Sequence, residues 1–134
     1  PILIFYQYTV VYHELKALLE ATYPDYELRF IRGGVTLSQA EMSEPDNPNT
    51  IYLIQYESGG EGLDWQWSNL AIFYEAPVKN EKFKQSLGRN VRNKEIMPHV
   101  FHFYFEYVNT LDARRWLVNR YKQDFADDIA DRLF

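Results

Sequence analysis

Hydrophobic and polar positions follow two periods along this chain. Residues 2–6 form an unbroken apolar run, the pattern of a strand covered on both faces. Val10, Val11, Leu15, Leu18 and Leu19 then recur at helical spacing, with Glu14, Lys16 and Glu20 opposite. This predicts a helix to about Thr22, with Thr9 as its cap. Pro24-Asp25 ends it. Residues 27–31 predict a second strand closed by Gly33-Gly34, 51–56 a third, 70–74 a fourth and 100–107 a fifth. Residues 38–49, polar and holding Pro45 and Pro48, read as a loop. Pro77 opens another helix, running through Phe83 to Leu87. Thr110 caps a long C-terminal helix whose apolar positions are Leu111, Trp116, Leu117, Tyr121, Phe125, Ile129 and Leu133. Alternating strands and helices predict an α/β fold: one open parallel sheet with helices on both faces and right-handed crossovers. The aromatic residues of 101–107 are expected to be core, by alternation across a buried strand.

Length and composition narrow this picture. The 134 residues suffice for one domain spanning 1–134, and 46% hydrophobic with 17% aromatic residues can fill its core. With no cysteine, a disulfide scaffold, a thiolate metal site and a cysteine nucleophile are excluded. No run reaches membrane-spanning length and no signal segment opens the chain, so a cytoplasmic location without a membrane partner is expected. The abrupt start in a strand suggests a piece of a longer polypeptide. The net charge of −5 argues against strong autonomous nucleic-acid binding, which usually needs a basic surplus.

Ligands of such sheets sit at the carboxyl ends of the strands. Gln7-Tyr8 is expected there, after the first strand, and so is Ser58-Gly59-Gly60-Glu61-Gly62-Leu63-Asp64, after the third. The glycines can turn sharply and turn backbone N–H groups toward a phosphate, or simply make a tight turn. Asp64 can accept hydrogen bonds from ribose hydroxyls, or favour a helix start through the dipole. The stretch is not a P-loop, because no Gly-Lys-Ser/Thr follows. Arg89 and Arg92, three apart, share a helix face beside Gln85 and offer two guanidinium forks to phosphate oxygens. A solvated helix end explains the same pair more blandly. His99 and His102 point to opposite faces of a strand and share no metal, and no metal site is expected. Trp65 and Trp67 are expected to pack.

The order of these stretches carries more than any one of them. An apolar strand ending Ile4-Phe5-Tyr6-Gln7-Tyr8 is followed by Gly59-Gly60-Glu61-Gly62-Leu63-Asp64, by Leu70-Ala71-Ile72-Phe73-Tyr74, and by Gln85-Ser86-Leu87-Gly88-Arg89-Asn90-Val91-Arg92. This resembles the C-terminal RecA-like lobe of superfamily 2 helicases, nearest the Swi/Snf-type translocases and phage-encoded DEAD/DEAH-like relatives. The first stretch resembles motif IV, the glycine stretch motif V and the Gln85-to-Arg92 stretch motif VI, and the resemblance spans nearly the whole chain. It implies an arginine finger at Arg92 with Arg89 beside it. It also implies nucleotide contacts from Gly62, Asp64 and Gln85, and nucleic-acid contacts from Gln7, Ser58 and Gly59. ATP with Mg2+ would be held mainly by an N-terminal RecA-like lobe of the same parent chain, with DNA ahead of RNA as the track. The lobe alone would be inactive. The chain departs from the pattern at Tyr56, where many relatives carry threonine or serine, and at 38–49, where a crossing helix looks reduced. The alternative is a non-catalytic nucleic-acid or protein binding module that keeps the fold; a third is a small doubly wound nucleotide-binding protein.

Overall fold

The computed structural model describes residues 1–33, 43–57, 67–77 and 101–105. Five strands, β1 (Ile2–Tyr6), β2 (Glu27–Ile31), β3 (Thr50–Gln55), β4 (Leu70–Phe73) and β5 (Phe101–Tyr104), form one sheet in the order β2-β3-β1-β4-β5. Every neighbouring pair is parallel. The helix α1 (Thr9–Thr22) leads from β1 to β2. The expected parallel α/β architecture is therefore observed, with strand ends within two or three residues of those expected. The helices expected after Pro77 and Thr110 lie outside the described residues.

The central strands are apolar on both sides because both sides are buried. Leu3 and Phe5 of β1 pack with Tyr52, Ile54, Ala71 and Phe73 on one face. Ile4 and Tyr6 pack with Ile51 and Leu53 on the other, beneath Val11, Tyr12, Leu15 and Leu19 of α1. The spacing of those helix residues follows the 3.6-residue repeat, so one stripe of α1 meets the sheet. Trp67 packs by its ring on Tyr52, 5.4 Å between centroids, as expected.

Two expectations are corrected. Thr9 is the first helical residue, and the cap position is Tyr8, which makes no side-chain capping bond. The aromatic residues of β5 are not core: Phe101 is 57% and Phe103 53% exposed, and Tyr104 is exposed as well, as is Phe105 just past the strand. The physical reason is position. β5 lies at the end of the sheet order, with β4 as its one strand neighbour among the described residues, so its side chains have strand partners on one side only.

Candidate functional site

In β1 the chain reaches the middle of the sheet, with β3 on one side and β4 on the other. The path through α1 leads away toward β2 and β3, whereas β4 and β5 extend the sheet the other way. The gap between the carboxyl ends of β1 and β4 is thus a topological switch point, where open α/β sheets place ligands. Gln7 is there, directly after β1, and is half-buried.

The gap is closed by a carboxylate. Oε2 of Glu75 accepts the backbone N–H of Gln7 at 2.7 Å and of Tyr8 at 3.0 Å. The side-chain amide of Gln55, at the end of β3, donates to the Gln7 carbonyl at 3.1 Å. The Tyr56 phenol donates to the Glu75 carbonyl at 2.7 Å. The ladder continues past the strand ends: Tyr56 N–H bonds the Tyr6 carbonyl at 3.0 Å and Tyr74 N–H bonds the Phe5 carbonyl at 2.9 Å. Beneath this edge runs a row of rings across four strand ends. Tyr56, Phe5, Phe73 and Tyr104 stand 5.9, 5.1 and 5.1 Å apart, each pair stacked. Tyr56 is buried and engaged with Glu75, so at this departure from the helicase pattern the side chain braces the fold.

A second polar group lies on the α1 side of the same edge. Tyr6 is fully buried, its hydroxyl has no hydrogen-bond partner among the described residues, and burial pushes the phenol up to about 12 despite the opposing charge of Arg32. The Arg32 guanidinium lies 4.2 Å over the Tyr12 ring, a cation–π contact, with its Nε buried and without a hydrogen-bond partner among the described residues. His102 stands edge-on to Phe73, 5.5 Å between centroids, and burial lowers its pKa.

Of the residues expected from sequence to form the site, Gln7 alone falls within the described residues. Ser58, Gly59, Gly62, Asp64, Gln85, Arg89 and Arg92 lie outside them. The described residues that precede them in the sequence, Glu57 after β3 and Pro77 beyond β4, lie at the same edge. Sequence reading missed Glu75. An acid two residues past a strand end and two before a proline was the available signal; Asp64 was singled out by its place after a glycine turn. Among the described residues no group of three metal-ligating side chains occurs. No helix among them is long and apolar enough to cross a membrane.

No family model matches the sequence, and no curated protein matches it either. Among solved structures, the chain is similar to the crystal structure of the C-terminal part of the Fun30 ATPase domain. The TM-score is 0.70 at 16% identity, over 88% of this chain and 38% of that one. The chain thus spans well under half the length of that neighbour. The likeness is one of fold: a parallel five-stranded sheet with helices, of the RecA-like kind found in an ATPase domain.

Proposed function

We propose that the chain is the C-terminal lobe of an ATP-dependent helicase or translocase. It supplies an arginine finger and nucleic-acid contacts to an ATP site shared with an N-terminal RecA-like lobe. The observation that carries this reading is where the described residues end. Gln7 after β1, Glu57 after β3 and Pro77 beyond β4 lie at the carboxyl edge of the sheet, and the stretches that hold Asp64 and Arg92 follow Glu57 and Pro77 in the sequence. A fold likeness to part of an ATPase domain supports it further.

In this reading Arg92 reaches the γ-phosphate and Arg89 stands beside it. Their guanidiniums offset charge that develops on the transferred phosphoryl group, which is where electrostatic catalysis acts most strongly. Gln85 lines the same site, Gly62 and Asp64 face the nucleotide, and Asp64 takes the ribose. Gln7, Ser58 and Gly59 face the nucleic-acid backbone, with DNA as the favoured track. Mg2+ and the phosphates are held mainly by the other lobe. The carboxyl end of β1 is consistent with that division: the two N–H groups after the strand, which in a phosphate-binding loop would face the nucleotide, are taken by Glu75.

The chain alone is therefore expected to hydrolyse ATP negligibly, and to hydrolyse it, with stimulation by DNA, once joined to a cognate N-terminal lobe. Turnover by the isolated chain would contradict this division of labour. A second reading, a non-catalytic binding module, is favoured by the exposed aromatic side chains of β5 and by the net charge of −5. It predicts no ATPase in either form.

A further inference from the structure

We propose that Glu75 is a positioning residue, a built-in anion that locks the Gln7-Tyr8 turn and keeps phosphate off its backbone N–H groups. One carboxylate oxygen accepts from two consecutive backbone N–H groups, at 2.7 and 3.0 Å. Consecutive N–H groups converging on one oxygen are the arrangement with which backbone nests hold phosphate and other anions. Tyr8 is also the cap residue of α1, so its N–H lies at the positive end of the helix dipole. An anion is favoured here on both counts, and the chain supplies its own from a residue 68 positions away.

The carboxylate is delivered by a stiff frame. The Glu75 carbonyl accepts the phenol of Tyr56, which is itself 1% exposed. The preceding residue, Tyr74, is tied to Phe5 of β1 by its N–H. The Gln7 peptide groups are thus held from both sides, the N–H by Glu75 and the carbonyl by Gln55. Fixing both fixes where the Gln7 side chain starts, while the negative charge repels a phosphate approaching the turn itself. If the chain is a helicase lobe, and this clause rests on that reading, nucleic acid meets the Gln7 side chain and not the backbone of the turn. Glu75 then also links that turn to the stretch, beginning after Pro77, that holds Arg89 and Arg92.

The test uses the 134-residue chain, with Glu75→Gln, which keeps an acceptor oxygen without the charge, and Glu75→Ala, which removes both. Amide exchange of Gln7 and Tyr8 is expected to accelerate about threefold in Glu75→Gln, since charge-assisted bonds become neutral ones, and at least about tenfold in Glu75→Ala. Exchange at Leu53, in the buried β3, should not change in either variant. Wild-type exchange rates at Gln7 and Tyr8 in Glu75→Gln would overturn the locking role, whether or not Glu75→Ala folds. Titration with inorganic phosphate should leave the Gln7 and Tyr8 amide resonances of the wild type unmoved and shift them saturably in Glu75→Ala. A saturable shift in the wild type would overturn the exclusion. A labelled single-stranded DNA oligonucleotide, offered to the chain joined to a cognate N-terminal lobe, separates this claim from the functional reading. Gln7→Ala is expected to weaken binding, and unchanged binding would defeat the nucleic-acid reading of Gln7, while the exchange rates still decide the lock.

Discussion

The phenol of Tyr56, just past β3, donates to the backbone carbonyl of Glu75, just past β4, at 2.7 Å, with β1 lying between the two strands. This bond spans the switch point and holds the carboxylate that closes it. Tyr56→Phe keeps the ring and its stack on Phe5 but leaves the carbonyl without that donor. Urea unfolding should show a loss of about 1–2 kcal/mol, the usual cost of removing one partner from a buried hydrogen bond. Unchanged stability would mean that the bond does not brace the edge.

Phe73, in the aromatic row, and Phe103, in β5, should respond differently to truncation. Phe73 is fully buried and stacks between Phe5 and Tyr104. Its replacement by alanine should cost about 3–5 kcal/mol through lost burial and the cavity left behind. Phe103 is 53% exposed, and Phe103→Ser should cost no more than about 1 kcal/mol. Comparable losses from the two would place β5 in the core after all.

Two groups, the half-buried His102 and the buried Tyr6, give opposite slopes of stability against pH. Burial lowers the His102 pKa from 6.5, so below that value the unfolded chain binds a proton that the folded chain resists. Its neutral-form stabilisation is present above 6.5 and is lost as pH falls toward the lowered folded value. Tyr6 is raised from 10.0 to about 12, so its contribution is present below 10.0 and is lost as pH rises toward 12. Denaturation midpoints measured from pH 5 to 8 should lose part of their acid-side slope in His102→Gln. Spectrophotometric titration of the folded chain should show one phenol ionising last, absent in Tyr6→Phe.

Much of the sheet is legible in the sequence, and the reason is local. Runs such as residues 2–6 and 51–54 are apolar at every position because both faces are covered, and α1 repeats at helical spacing because one stripe meets the sheet. Periodicity cannot say which strand lies at the edge, so the aromatic residues of β5 read as core until the order β2-β3-β1-β4-β5 placed them at one end. It also cannot pair Glu75 with Gln7, because residues 68 positions apart leave no shared local pattern. Tyr56 illustrates both limits. Its departure from the helicase pattern is visible in sequence, but its bond to Glu75 is visible only in three dimensions. Of the candidate site, the sequence supplied residue types and order, and Gln7 could be followed to its place at the carboxyl edge.

The central claim is that this chain completes an ATP site through Arg92. Its most direct measurement is the DNA-stimulated ATPase of the chain joined to a cognate N-terminal lobe, with and without Arg92→Ala. Arginines supplied to phosphoryl-transfer sites contribute about 10³-fold or more to turnover. The account predicts a loss of that order in kcat with DNA binding retained. Equal turnover by Arg92→Ala and the unsubstituted protein would contradict it.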